Sequence, residues 1–391
     1  MSLLPVAEAQ ARLFALVQPR PVVGLPLLAC NGHWLAADVL ARRDQPFADL
    51  SAMDGYAVAH DQGPWRIVQE SAAGGPLPAP IGQGEAARIF TGAPISPGAD
   101  SILIQENAAL DGNLLARATD DPLPAHLHIR RRGSDFADGD VLLTAGTRLG
   151  ATQLSLATLG GHGTLPVHPR PRIALLSTGN ELVLPGAPIP AGKLPSSNAV
   201  LLAALLQSLP CDVEDMGIIP DNLGAMTTAF DAARHADIIL STGGASVGDH
   251  DLVRPAFAAV GGALDFWKIR MRPGKPLIAG TLGSSLFLGL PGNPVSAFVT
   301  ATLFLMPLVR HLLGSRAPLP TLGDAPLATA IGSTGERDEY LRARITPGGA
   351  VALTAQDSAA ARALAQADCL IVRPAGSSAA RPGDIVSILA L

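Results

Sequence analysis

Residues 236–251 read ADIILSTGGASVGDHD. An almost unbroken apolar run passes into a Ser-Thr-Gly-Gly turn and then into a short acidic segment. A strand apolar on both faces fits a parallel sheet covered on both sides. A glycine-rich turn at its carboxyl end falls where open α/β sheets bind ligands. Gly243, Gly244 and Gly248 permit positive φ and let backbone N–H groups face an anion, with Ser241, Thr242 and Ser246 adding hydroxyls. Asp249 and Asp251 have the chemistry to hold Mg2+, which bridges carboxylates and phosphates. The embedded GASVG also matches the G-x-S-x-G elbow of serine hydrolases. The strand ends too early for an elbow on Ser246, and charged GDHD replaces the expected helix start.

Working outward, the pattern predicts strands over 172–176, 212–219, 237–240, 263–267, 276–279 and 285–290. Helices are predicted over 199–209, 223–234, 252–260 and 295–313, giving a mostly parallel α/β domain at 171–316. Three more of its strand ends carry chemistry. LGLPGNPVSAF (288–298) stiffens its loop with Pro291 and Pro294 and leaves room for a ligand at Gly292. A helix follows Asn293 with Ser296 near its start, and helix N-termini attract phosphates. LLSTGNEL (175–182) ends on Glu181, and GIIPDN (217–222) offers Asp221. Four such ends on one rim point to a nucleotide- or phosphate-type ligand. FWKIRMRPGKP (266–276) adds Lys268, Arg270, Arg272 and Lys275. If 268–272 is extended, Lys268 and Arg272 share a face and reach one dianion.

The flanks differ in composition. Residues 46–140 are rich in Gly, Pro and short β-type runs, and read as a β-rich domain inserted between 1–45 and 141–170. Residues 317–391 read as a small β domain. The chain has 391 residues, 48% hydrophobic and only 16% charged, enough for several cores. A net charge of −5 argues against a general nucleic-acid binder. Three dispersed cysteines form no CxxC pair and read as reduced core thiols. No GxGxxG, P-loop or HExxH motif is present. The first residues read as an amphipathic helix with Val6, Ala9, Leu13 and Leu16 on one face, not as a signal peptide. The longest apolar run, 295–309, is short for a membrane span. A cytoplasmic protein without membrane contact is expected.

Taken together, SAMDGYAV (51–58), FTGAPISPGAD (90–100), RRRGSDFADGD (130–140), LLSTGNEL, GIIPDN, STGGASVGDHD, FWKIRMRPGKP and LGLPGNPVSAF resemble, in order, the molybdopterin molybdenumtransferase family of MoeA-type proteins and the gephyrin E domain. The resemblance implies a multidomain α/β plus β fold of four domains and an elongated homodimer. Domain I (1–45 and 141–170) would dimerise and domain III would bind adenylylated molybdopterin, facing domain II (46–140) of the partner; domain IV is 317–391. It implies insertion of molybdate into the adenylylated pterin, release of AMP, and Mg2+ or a similar ion. The family's functional acids fall on Asp54, Asp135, Glu181, Asp221 and Asp251, its threonine on Thr91 and its prolines on Pro291 and Pro294. Its basic residues fall on Lys268, on Arg272 where Lys is common, and on Arg337. Its Gln-Gly-Ser stands here as Gln356, Asp357 and Ser358. Contacts with a molybdopterin adenylyltransferase and with molybdoenzyme chaperones are implied as well. Two other readings stay open: adenylylation of molybdopterin by the same α/β domain, and a non-catalytic scaffold like gephyrin.

Overall fold

The structure, a computed structural model, describes residues 3–59, 63–243 and 252–391. Its centre is a six-stranded sheet ordered Asp212–Ile219, Arg172–Thr178, Ile238–Thr242, Ser285–Leu290, Pro276–Leu282 and Ala263–Lys268. Side chains alternate between two cores. Ile173, Leu175, Ile238, Leu240, Leu286 and Leu288 pack on one face, and Ala174, Leu176, Ile239 and Phe287 on the other. Burial on both faces is why these strands read as unbroken apolar runs. Phe287 meets Phe230 and Phe257 at centroid distances of 5.5 and 4.8 Å.

The first four strands are parallel; Pro276–Leu282 runs against them and Ala263–Lys268 runs with them, so the last two pairings are antiparallel and the sheet is more mixed than expected. Only Gly283 and Ser284 separate Pro276–Leu282 from Ser285–Leu290. Two residues suffice for a hairpin, whereas a parallel crossover needs a dozen or more.

The long apolar helix runs from Pro294 to Leu312, 19 residues, so by length and composition it is able to cross a membrane, contrary to the reading of 295–309 as too short. It is 78% buried within the fold and serves as a core helix. At its middle, Ala301–Leu305 forms a π-helical turn just before Pro307. Proline has no N–H to offer the carbonyl four residues back. That carbonyl belongs to Leu303, and it accepts a hydrogen bond of 2.7 Å from Gln10 Nε2.

Gln10 lies on the N-terminal helix Val6–Ala15, whose Ala9 and Leu13 are fully buried in the core of the α/β domain. Phe14 stacks on His311 at 5.0 Å, and Leu4 bridges to Ile269. The helix thus packs into the core of the α/β domain. The split domain has its own core from Cys30, Leu35, Val39, Leu143, Leu149, Leu154, Ala157, Leu165 and Val167. The inserted region forms a six-stranded sheet with cores on both faces. The last region forms another sheet around Leu327, Ala343 and Ile371.

Candidate active site

The carboxyl ends of the central strands open onto a cleft of about 790 Å3. Arg172–Thr178 and Ile238–Thr242 end side by side, and Thr178 Oγ1 donates to the Thr242 carbonyl at 3.2 Å. Both strands turn at a glycine. Gly243 has φ +90°, and a Cβ there would lie 2.5 Å from the Thr178 carbonyl oxygen. The next turn carries Glu181 into the cleft, and its carboxylate folds back over Gly179. Asp221 stands outside the cleft. It accepts from the Asn180 N–H at 3.0 Å while its own N–H donates to Asn180 Oδ1 at 3.1 Å.

Directly beside the Gly243 turn the wall continues through Pro291, Gly292, Asn293 and Pro294; a Cβ on Gly292 would lie 3.6 Å from the Gly243 Cα. Asn198 Nδ2 donates to the Gly292 carbonyl at 2.7 Å and pins this turn to the start of helix Ser197–Leu206. Pro294 occupies the first turn of the long helix, where its missing N–H costs nothing. Asn293 leaves that helix uncapped and donates instead to Ser358 Oγ at 2.9 Å, while the Val295 N–H donates to the Ser358 carbonyl at 3.2 Å. Ser358 thus docks the C-terminal domain on the loop, and its neighbour Ala359 lines the cleft.

Lys268 and Lys275 enter from the hairpin between Ala263–Lys268 and Pro276–Leu282. Lys268 pairs with Pro276 and the Ile269 N–H donates to the Lys275 carbonyl at 2.7 Å, so both lysines stand at one neck. Arg272 does not join them. The extended run breaks after Lys268, and Met271–Arg272 pairs with Asp338 and Glu339 of the C-terminal sheet. There Arg272 Nη1 lies 3.6 Å from Glu339 Oε1. The expectation of a shared face for Lys268 and Arg272 is corrected, because i and i+4 align only in an unbroken strand.

Of the other expected residues, Thr242, Gly243, Pro291, Gly292, Asn293 and Pro294 line the cleft. Ser241 is buried beneath it against Gly289, and Ser296 is buried in the helix, so neither lines it. Arg337 does not line it either. Arg342, on the strand Asp338–Thr346 that follows Arg337, is fully buried and grips the docking loop, its Nη2 donating to the carbonyls of Ala355 and Asp357 at 3.0 and 3.1 Å. Gly244, Ser246, Gly248, Asp249 and Asp251 lie outside the described residues. Thr178, Leu194, Pro195, Ser196, Ser197, Asn198 and Ala359 line the cleft unforeseen. Of these, Ser196-Ser-Asn198 ahead of an apolar helix carried a readable N-terminal signal.

Asp54 and Thr91 meet elsewhere, in the inserted domain. Asp54 Oδ1 accepts from the Thr91 N–H at 2.7 Å and from Thr91 Oγ1 at 2.8 Å. These bonds, with Arg88 nearby, hold the Asp54 carboxyl below the usual range. Asp135 lies at the junction of the inserted and split domains, its N–H donating to the Gln45 carbonyl at 2.9 Å.

Among the described residues, an open α/β sheet with two lysines, one carboxylate and two helix starts around a cleft at its strand ends has the chemistry of the class of proteins suited to an anionic, phosphate-bearing ligand. Comparison narrows this. Residues 4–161 match the MoeA N-terminal region (domain I and II), 174–311 the probable molybdopterin binding domain, and 324–391 the MoeA C-terminal region (domain IV). A molybdopterin molybdenumtransferase of Haemophilus influenzae is 37% identical over 72% of this chain and 70% of its own length. One of Synechococcus elongatus is 34% identical over 95% of both chains. The crystal structure of a molybdopterin biosynthesis MoeA protein from Pyrococcus horikosii superposes with a TM-score of 0.83 at 26% identity, covering 100% of this chain and 99% of that one. The chain belongs to the MoeA family of molybdopterin molybdenumtransferases, which serve molybdenum cofactor biosynthesis.

Proposed function

We propose that the protein transfers molybdenum from molybdate into adenylylated molybdopterin, with release of AMP. The observation that carries the reading is the cleft itself. Lys268 and Lys275 face Glu181 across a space walled by two helix starts, a local cationic site in a chain of net charge −5. Both substrates are anions, and charge-assisted hydrogen bonds are the strong ones. The lysines and the N–H groups at the start of Ser197–Leu206 bind and orient them. Asn198 and Ser358 hold the proline-lined wall in place from either side.

Magnesium fits this site as one carboxylate's partner. Among the described residues no group of three His, Cys, Asp or Glu assembles, and Glu181 is the acid that lines the cleft. Mg2+ is usually held by one or two carboxylates plus substrate phosphates, so Glu181 is suited to hold it. The ion would supply charge neutralisation at the phosphoanhydride.

Asp54, Thr91 and Asp135 do not line the cleft, so in this reading they serve the cleft of a second copy in a homodimer. Light scattering at micromolar protein is expected to give the dimer mass, and a monomer overturns that part.

The test is AMP release from adenylylated molybdopterin with and without molybdate. Release that requires molybdate supports the transferase. Release without it, or pterin binding with no turnover at all, overturns the proposal. Lys268→Ala is expected to raise the molybdate needed for half-maximal rate by about tenfold, the loss of one charge-assisted contact.

A further inference from the structure

Arg88 was not among the residues marked by sequence, and it stands beside Asp54 and Thr91 in an unusual setting. Strand Glu85–Ile89 runs antiparallel to Gly55–Val58, which puts Arg88 directly opposite Tyr56. Phe90 lies two residues on, at the end of the same face. The guanidinium carbon is 4.9 Å from the centroid of the Tyr56 ring and 4.9 Å from that of Phe90. Its Nη1 donates to the Gly55 carbonyl at 3.1 Å and its Nη2 to Gln105 Oε1 at 3.0 Å.

Each contact adjoins the carboxylate and hydroxyl pair. Gly55 follows Asp54, and Phe90 precedes Thr91. The Gln105 N–H donates to the Asp54 carbonyl at 3.1 Å. One planar cation therefore ties together the three pieces of backbone that aim Asp54 and Thr91. Lysine lacks the fork to make both hydrogen bonds while lying against two rings. The positive charge also helps keep Asp54 ionised.

We infer that Arg88 is a positioning residue for the transfer reaction: it touches no reacting atom and acts by holding Asp54 and Thr91 in the geometry they present to the anionic substrates. The inference rests on the reading of Asp54 and Thr91 as site residues, and the experiment separates the two.

Rates of molybdate-dependent AMP release are measured on full-length Asp54→Asn, Arg88→Met, Arg88→Lys and the Asp54→Asn/Arg88→Met pair, normalised to folded protein. Arg88→Met is expected to lower kcat by about tenfold or more, with KM for the adenylylated pterin moved by less than about threefold, the same split as Asp54→Asn. The double variant is expected within about twofold of Asp54→Asn, because contacting residues that act as a unit do not add. Arg88→Lys should fall between wild type and Arg88→Met. If Arg88→Met does not fold, Gln105→Leu removes one guanidinium partner on the surface. It should then lower kcat by about threefold, and not further in the Asp54→Asn background. Unchanged kcat in the Arg88 or Gln105 variant, or losses that multiply with Asp54→Asn, overturn the inference while leaving the transferase reading intact. Full activity of Asp54→Asn removes the site assignment itself and the inference with it.

Discussion

Asn180 and Asp221 exchange a reciprocal pair of hydrogen bonds, each backbone N–H donating to the other's side-chain oxygen, at 3.0 and 3.1 Å. The pair joins the loops after two neighbouring parallel strands, Arg172–Thr178 and Asp212–Ile219. Glu181 follows directly, so the pair sets where its carboxylate stands in the cleft.

This geometry predicts that Asp221 serves through its hydrogen bonds to Asn180, not through its charge. Asp221→Asn keeps an oxygen for the Asn180 N–H and is expected to retain most activity. Asp221→Ala removes it, costs about 1 kcal/mol of stability and lowers AMP release further than that loss explains. Equal damage from both variants would show that the charge itself is needed.

Gln10 is specified by a proline almost three hundred residues away. Its amide satisfies the Leu303 carbonyl that Pro307 leaves without an N–H donor. Gln10→Leu fills a similar volume but strands that carbonyl, and should destabilise the protein by about 1–3 kcal/mol in urea unfolding. No change in the midpoint would mean that the π-helical turn satisfies the carbonyl alone.

Arg272 and Lys275 separate the two roles of the basic hairpin. Lys275→Ala is expected to weaken binding of the pterin nucleotide by about tenfold, with stability changed little. Arg272→Ala disturbs an exposed pair with Glu339 that is worth less than about 1 kcal/mol, and should leave substrate affinity near wild type. An isothermal titration that ranks them the other way reverses the assignment.

Thr91→Val keeps the shape of the side chain and removes the hydroxyl that donates to Asp54. The Asp54 carboxyl titrates low because Thr91 donates twice, first from its N–H and then from its Oγ1. A depressed carboxylate pKa contributes stability that is present above the unfolded value near 3.9 and is lost as pH falls through the folded value. In Thr91→Val the folded pKa should move up toward the ordinary value, so the contribution shrinks and its loss, which still begins near the unfolded value, is complete at a higher pH. Carboxyl-carbon NMR titration of Asp54 reads this directly.

Much of the central domain was legible because burial on both strand faces leaves a plain apolar signature. The strands Asp212–Ile219 and Ser285–Leu290 fall on the residues expected. The motif ends that converge on the cleft were legible for the same reason, since glycine, proline and acids punctuate those runs. What was hidden depends on partners distant in the chain. Arg272 turns away because strand Asp338–Thr346 claims its backbone, and no local pattern carries that pairing. The docking role of Arg342 was hidden because a buried arginine in a strand reads as an exposed one. The N-terminal helix showed an apolar face but not which core it would join. The antiparallel end of the sheet was readable from the two-residue Gly283-Ser284 link.

The anchoring of the N-terminus settles how the chain is threaded. After Val6–Ala15 has packed on the α/β domain, Arg20 Nη1 lies 3.4 Å from the Arg170 carbonyl, the Arg20 carbonyl meets His168 Nδ1 at 2.6 Å, and Arg20 and Arg172 both approach Asp237 at 3.7 Å. The polypeptide leaves the α/β body and re-enters it at one spot. Residues 21–169 are thus a single excursion with touching ends, and it is seated on the α/β body at further points: Trp34 packs in that core, Gly32 lies against Pro210, and Arg148 Nη2 donates to the Ser208 carbonyl at 3.5 Å. A chain spliced from residue 20 to 170 by a short linker retains every contact of the N-terminal helix, and little loop-closure entropy stands against it. These seats spread the grip on the split domain over a face, so a second copy meets it already braced.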